Sequence, residues 1–146
     1  MANINAIQTL IELCSQQSEE AATRLGLANK TRTEAQQKLS MLEEYRNEYA
    51  EQLQVQLSQG LNAVGYSNFK QFIATLDQTI NQQKHVVQNS LILVENHRTD
   101  WQASERKRLS YSTLTKRAET ALRHQENKHD QKQTDEHASR IKMRRL

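Results

Sequence analysis

The sequence predicts an all-α protein, an antiparallel two-helix coiled-coil hairpin in the form of a long rod. Three observations predict it: the 146 residues include no proline and 3 glycines, 36% of them are hydrophobic, and apolar residues recur every seven positions. A globular domain normally contains about 5% proline, about 7% glycine and ~45–50% apolar residues. A chain with so few turn-forming and core-forming residues is best explained by long helices that share a narrow apolar seam.

The first helix is predicted over about residues 3–58. Its seam has two rows at heptad spacing, and apolar residues sustained over more than four heptads favour a left-handed coiled coil. The two rows are Ile7, Cys14, Ala21, Ala28, Ala35, Leu42 and Tyr49, and Ile11, Ser18, Leu25, Arg32, Leu39, Arg46 and Leu53.

The turn is predicted at about residues 59–67, where Gly60 and Gly65 bracket the strongest break in the helical pattern. Glycine accepts the left-handed backbone found at helix ends. The side chain of Ser67 or Asn68 is expected to cap the next helix, since both residue types accept hydrogen bonds from free amides at a helix start.

The second helix is predicted over about residues 68–137, followed by a basic tail that frays without a partner because its seam thins out after Leu122. The whole chain, 1–146, is interpreted as one domain. Folding at the turn places residues whose numbers add up to about 125 opposite each other, such as Leu53 and Ile73. The two seam rows are Ile73, Ile80, Val87, Val94, Trp101, Arg108, Thr115 and Leu122, and Phe69, Leu76, Gln83, Ser90, His97, Ser104, Tyr111 and Ala118.

Charge is distributed unevenly along the chain. Residues 1–105 hold 8 basic and 12 acidic side chains, a net charge of −4, whereas residues 106–146 hold 12 and 5, a net charge of +7. The C-terminal end could therefore meet an acidic surface, an anionic membrane or nucleic acid. The chain starts without a signal peptide pattern and holds no apolar run of ~18 residues, so we expect a cytoplasmic protein with no integral membrane segment.

No pattern of an active site is present, and we expect neither catalysis nor a cofactor. Nucleotide-binding glycine motifs and the H-E-x-x-H and C-x-x-C metal motifs are absent. His124, His129 and His137 are spaced too unevenly to share one helix face, so no metal site is expected. Cys14 lies on a seam row and is interpreted as a small buried hydrophobic residue.

Tyr45 and Phe72 are large aromatic residues that lie off both seam rows. One interpretation is that they wrap around the edge of the seam and shield it. The other is that they form an exposed apolar patch, which on a thin helical protein normally marks a docking site for another protein.

Three segments in order make the sequence resemble a known family. They are residues 41–49, residues 71–76, and residues 130–136 followed by Met143 and Arg144. Together with the glycine-bearing turn and the basic residues after Trp101, they resemble the FliJ family, the small soluble component of the bacterial flagellar type III protein export apparatus.

The resemblance implies a fold similar to the rotor stalk subunit of F- and V-type ATPases, whose terminal end inserts into the hexameric flagellar export ATPase. It also implies binding to the cytoplasmic domain of the membrane export gate protein, which would hold the chain at the cytoplasmic face of the cell membrane, and to flagellar export chaperones. Flagellum assembly, motility and chemotaxis would then depend on it. The gate-binding residues implied by position are Leu42, Tyr45, Tyr49, Phe72 and Leu76.

Basic residues near the open end of the hairpin suit an electronegative ring interior. The ATPase-binding residues expected on this basis are Arg106, Lys107, Arg108, Arg140, Arg144 and Arg145. A merely solubilising helix surface is the alternative interpretation of these residues. Other functions that fit the sequence are the equivalent stalk protein of a virulence injectisome, a basic coiled coil that binds nucleic acid, and a purely structural rod or dimer.

Overall fold

The computed structural model describes residues 2–145, with side chains from residue 4 onward. Two α-helices account for almost all of them: α1 spans Ala2–Gln59 and α2 spans Ala63–Arg144, joined by residues 60–62. The chain forms two compact units, one made of Glu20–Trp101 and the other of Met1–Glu19 with Gln102–Leu146. The single domain expected from the sequence stays a prediction.

The unit Glu20–Trp101 is an antiparallel helical hairpin with a narrow core. Its buried residues come from both helices and include two polar ones, Gln83 and Ser90. The buried residues are Ala21, Ala35, Leu39 and Leu53 from α1, and Leu76, Ile80, Gln83, Ser90 and Val94 from α2. Each lies on one of the four predicted seam rows, so the heptad pattern correctly identified the buried face.

Gln83 shows how a polar residue is accommodated on the seam. Its Nε2 atom donates a hydrogen bond of 2.9 Å to the backbone carbonyl oxygen of Ala35 on the facing helix. Because a buried amide without a partner is costly, this bond explains why the seam tolerates glutamine at this level. It also ties one residue of α2 to one residue of α1, which opposes sliding of the helices.

In the unit Met1–Glu19 with Gln102–Leu146, Cys14 and Ser18 are buried, which confirms the interpretation of Cys14. The hydroxyl of Ser18 donates a hydrogen bond to Glu105 on the second segment. From Ala121 to Arg145 every residue is exposed, including Leu122, which the sequence had placed on a seam row. The end of α2 therefore lacks a packed partner within the described chain. Leu146 lies outside the described residues.

The turn is shorter than predicted. Gly60 has a φ of 93°, in the left-handed region that favours glycine, and it ends α1. The Oδ1 atom of Asn62 accepts a 2.8 Å hydrogen bond from the backbone N–H of Gly65. Asn62 is thus the cap of α2, and the expectation that Ser67 or Asn68 plays this role is wrong, since both residues lie inside the helix.

This short turn shifts the pairing of the two helices. Contacts between the helices of Glu20–Trp101 join residues whose numbers add up to less than the predicted value of about 125. Examples are Arg46 with Asp77, and Ala35 with Gln83. Because α2 begins at Ala63 and not near residue 68, each residue of α2 meets a residue of α1 slightly nearer the N-terminus.

The described part of α2 continues beyond the predicted limit of residue 137, to Arg144. Lys142 and Arg144 in its last turn are favourable there because cations stabilise the partial negative charge at a helix C-terminus. Within residues 2–145, neither helix contains a stretch that is apolar enough to cross a bilayer.

Candidate protein-docking surfaces

Four aromatic side chains of the unit Glu20–Trp101 pack together near the turn, and we call them the aromatic cluster: Tyr45, Tyr49, Phe69 and Phe72. The ring of Tyr49 is central, with centroid distances of 4.8 Å to Phe69 and 4.5 Å to Phe72. Tyr45 lies 6.3 Å from Phe72 in an edge-to-face arrangement and 6.4 Å from Tyr49. Such pairs stabilise a structure by about 0.5–1.5 kcal/mol each beyond their area burial. The cluster is therefore held in one arrangement before any partner arrives.

Within the predicted gate-binding set, exposure separates the residues into three groups. Tyr45 is 49% exposed and Phe72 is 37% exposed, whereas Leu76 is buried. Leu42 and Tyr49 are half-buried. A partner that docks here can reach the rings of Tyr45 and Phe72 directly, while Leu76 belongs to the core beneath them.

An ion pair that was not predicted from the sequence borders the aromatic cluster. The Nε atom of Arg46 lies 2.9 Å from Oδ1 of Asp77 on the facing helix. This pairing explains how a half-buried arginine occupies a seam row next to Tyr45. The sequence did contain a sign of this pair. The predicted pairing, in which opposite residue numbers add up to about 125, places Thr79 opposite Arg46, and Asp77 lies two positions from it.

The basic residues 106–108 have different surroundings. Arg106 and Lys107 are exposed, but Arg108 is half-buried and donates two hydrogen bonds to the carboxylate of Glu105, of 3.2 Å from Nε and 2.8 Å from Nη2. The hydrogen bonds from Arg108 and then from Ser18 hold the pKa of Glu105 below its usual value, and Glu105 raises the pKa of Arg108. Arg108 thus already has a partner within the chain.

Three further basic residues near the end of α2, which we call the terminal arginines, are Arg140, Arg144 and Arg145. All three are exposed. At 1.5 Å rise per residue, Arg140 lies about 50 Å along α2 from Arg106. The six basic residues expected to bind the ATPase ring therefore form two separate groups and not one site.

The histidines that the sequence analysis considered as metal ligands do not converge. His124, His129 and His137 are all exposed. Among the described residues there is no group of three or more histidine, cysteine, aspartate or glutamate side chains placed to hold a metal ion.

Comparisons with known proteins agree on one family. The family model described as Flagellar FliJ protein matches residues 3–146. The chain is 33% identical over 145 residues to a Flagellar FliJ protein of Escherichia coli (strain K12), and 31% identical over 145 residues to one of Salmonella typhi; both matches cover 99% of each chain.

Among solved structures, a putative YscO homolog from Chlamydia trachomatis matches with a TM-score of 0.51 and 14% identity, covering 97% of this chain and 91% of the other. This likeness concerns the fold, which is all-helical as the sequence predicts. The family match extends over nearly every residue, including both helices and the turn between them. The chain belongs to the flagellar FliJ protein family.

Proposed function

We propose that this chain is a non-enzymatic component of the flagellar protein export apparatus that links the hexameric export ATPase to the membrane export gate. In this role the aromatic cluster binds the cytoplasmic domain of the gate protein, and the exposed basic residues of α2 bind the ATPase ring. The chain also escorts export chaperones. It is held at the cytoplasmic face of the membrane by the gate, and flagellum assembly, motility and chemotaxis depend on it.

The observation that carries the proposal is the partial exposure of Tyr45 and Phe72 within a cluster of four packed rings. Aromatic side chains dominate the binding energy of many protein interfaces because they bury a large area at a small entropic cost. Here that cost is reduced further, since contacts with Tyr49 already restrict both rings. Membership of the flagellar FliJ family supports the choice of partner.

The aromatic cluster is tested by Tyr45→Ala and Phe72→Ala, with Tyr66→Ala as the matched control. Tyr66 is 38% exposed, close to the 37% of Phe72, but it lies outside the cluster, and the Nζ atom of Lys70 lies over its ring, 5.5 Å from the centroid. We expect each cluster variant to weaken binding of the purified gate cytoplasmic domain at least tenfold, while Tyr66→Ala changes it less than twofold. Equal affinities of all three variants and the parent chain would contradict the assignment of this surface.

The cellular role is tested in a strain that lacks the gene for this chain. Complementation with the parent chain is expected to restore motility and secretion of filament protein, and the Tyr45→Ala, Phe72→Ala double variant is expected to restore much less. Normal secretion by the strain without any complementing gene would refute the proposed function as a whole.

The alternatives are less well supported. The likeness to a putative YscO homolog is a likeness of fold at 14% identity, whereas the flagellar relatives are about twice as similar in sequence and match at full length. A nucleic-acid-binding role predicts affinity that falls steeply with salt, together with aromatic residues among the basic ones. The exposed segment from Ala121 to Arg145 holds no aromatic residue.

A further inference from the structure

A groove separate from the aromatic cluster lies on the side of the unit Glu20–Trp101. It has a volume of about 300 Å³ and is lined mainly by apolar atoms. Leu27, Ala28 and Thr31 of α1 form one wall, and Leu93 and His97 of α2 form the other. Leu27 is 61% exposed and Leu93 is 51% exposed. The groove thus presents two large aliphatic side chains that the hairpin itself does not cover, and it has room for an apolar side chain from outside.

The groove and the aromatic cluster lie on the same face of this unit. On α2, the residues at heptad spacing from Leu93 back to Phe72 are Leu93, Val86, Thr79 and Phe72. On α1, the corresponding row is Arg24, Thr31, Lys38 and Tyr45. At the groove, Thr31 of the α1 row and Leu93 of the α2 row line the same cavity. At the aromatic cluster, Tyr45 of the α1 row contacts Phe72 of the α2 row. The two rows therefore border the same side of the seam at the groove and at the aromatic cluster.

The two rows differ in charge, and this difference indicates the kind of partner. The α2 row has no charged residue, and Val86 and Leu93 on it are each about half exposed. The α1 row has the exposed cations Arg24 and Lys38, which are two heptads or about 21 Å apart along the helix. Glu20 and Glu34 lie on the adjoining row of α1, four residues before Arg24 and Lys38 respectively. Carboxylates of a partner are therefore favoured over Arg24 and Lys38, and they are disfavoured over the adjoining row that holds Glu20 and Glu34.

We infer that this groove binds an amphipathic helix of a partner protein, laid along the seam as a third helix. The partner helix has apolar residues at heptad spacing, one of them seated between Leu27 and Leu93. It also has two carboxylates about 14 residues apart that face Arg24 and Lys38. Helix-in-groove recognition of this kind places apolar anchors at i, i+3, i+4 and i+7 into an apolar groove, while flanking charges set orientation and specificity.

The inference is tested with a designed 18-residue peptide, about 27 Å long as a helix, built from strong helix formers. It carries leucines at heptad spacing and glutamates 14 residues apart. A control peptide has lysine in place of both glutamates, and a second has the same composition with the leucines scrambled. Binding to the full chain is measured by fluorescence anisotropy at low ionic strength. We expect the glutamate peptide to bind at least tenfold more tightly than either control.

Two neighbouring residues of α2 provide a matched pair of variants. Leu93 and Ile92 are both 51% exposed, but only Leu93 lines the groove. Leu93→Glu is expected to weaken peptide binding at least tenfold, and Ile92→Glu less than twofold, with equal helix content by circular dichroism. Leu27→Glu provides the same test from α1 if Leu93→Glu loses helix content. Lys38→Glu is expected to cancel the preference for the glutamate peptide, and Arg24→Glu with Lys38→Glu is expected to reverse it, so that the lysine peptide binds more tightly.

Peptide binding is measured without the gate domain, so its outcome does not depend on the proposed role of the aromatic cluster. Absence of binding, or equal losses in Leu93→Glu and Ile92→Glu, would overturn the inference. A preference that Lys38→Glu leaves unchanged would overturn the charge argument on which the partner rests. If light scattering shows a dimer of the parent chain that Leu93→Glu dissociates, the groove belongs to a second copy and not to a partner helix.

Discussion

Glu105 accepts hydrogen bonds from two segments of the chain at once. Ser18 reaches it from α1, and Arg108 reaches it from the next turn of α2. Both donors, Arg108 more than Ser18, favour the ionised carboxylate, and they hold the pKa of Glu105 below its usual value. Folding therefore favours the deprotonated form of this residue more than the unfolded chain does.

This linkage predicts a dependence of stability on pH. A lowered pKa in the folded state contributes stability that is present above the unfolded pKa and is lost as the pH falls through the folded pKa. Glu105→Gln is expected to lower the melting temperature at pH 7, and the difference from the parent chain is expected to shrink below about pH 4.5. Thermal unfolding followed by circular dichroism at pH 7 and pH 3 measures both values.

Glu95→Gln is the control for this prediction. Glu95 pairs with Arg98 at 3.0 Å with the same i, i+3 spacing, but its side chain is 66% exposed against 26% for Glu105. Exposed pairs of this kind contribute little. A loss of melting temperature in Glu95→Gln equal to that in Glu105→Gln would mean that the contact with Ser18 adds nothing.

His97 is a second residue whose surroundings predict a measurable effect. Its Nδ1 atom is shielded from solvent and has no hydrogen-bond partner among the described residues. Because a buried polar atom without a partner is unfavourable, His97→Leu is expected to stabilise the chain by about 1 kcal/mol in urea unfolding at pH 7. His85→Leu, at an exposed position of the same helix, is the control and should change the free energy of unfolding by less than about 0.5 kcal/mol.

At the scale of the helices, the heptad rows were sufficient to predict which face is buried. Residues as different as Cys14, Ser18, Leu39 and Gln83 are buried because they lie on those rows, so position along the seam decided burial more than residue type did. The rows could not give the register. Register depends on the length of the turn, which is set by the φ of Gly60 and by the cap at Asn62, and several polar residues near the turn are equally suited to capping.

Substitutions at two asparagines of the turn region distinguish the observed cap from the expected one. Asn62→Ala removes the acceptor for the N–H of Gly65 and is expected to destabilise the chain by about 1 kcal/mol. Asn68→Ala replaces an exposed residue inside α2 with a better helix former, so it is expected to be neutral or slightly stabilising. Urea unfolding of both variants gives the comparison. Greater destabilisation by Asn68→Ala than by Asn62→Ala would show that α2 starts later than Ala63.

The helical pattern of the sequence predicted the candidate docking surfaces only in part. The position of Tyr45 and Phe72 off the seam left two interpretations open, a shield over the seam edge and an exposed patch. In the structure both rings are partly exposed and also pack against Tyr49, so exposure alone does not decide between the two. The burial of Leu76 was implicit in its seam row, but the resemblance placed it with the surface residues. The bond between Arg108 and Glu105 was not predicted because an i, i+3 pair is common on exposed helices, and only the contact with Ser18 distinguishes this one.

For the whole molecule, the segment that is exposed throughout lies inside the basic C-terminal segment. Residues 106–146 carry a net charge of +7, and from Ala121 to Arg145 every residue is exposed. A helix without packed neighbours contributes little to the stability of the rest of a protein. The terminal arginines can thus be changed without disturbing either packed core, which allows the two proposed binding functions to be separated.

Charge reversal of the terminal arginines, Arg140→Glu with Arg144→Glu and Arg145→Glu, is expected to weaken binding to the purified export ATPase at least tenfold and to abolish stimulation of ATP hydrolysis. Binding to the gate cytoplasmic domain is expected to change less than twofold, because the aromatic cluster is far along the chain from these residues. The melting temperature should remain within about 2 °C of that of the parent chain, since exposed substitutions away from packed contacts change stability little.

Arg106→Glu with Lys107→Glu tests the second basic group in the same assays. Arg108 is left unchanged, because its substitution would remove the hydrogen bonds to Glu105 and so alter the stability of the chain as well as ATPase binding. Loss of ATPase binding in the terminal variant alone would assign the ring contact to the exposed end of α2. Loss of ATPase binding in the Arg106→Glu, Lys107→Glu variant alone would assign the ring contact to the part of α2 that packs beside α1. Equal loss of gate and ATPase binding in either variant, at an unchanged melting temperature, would contradict the division of labour between the aromatic cluster and the basic residues.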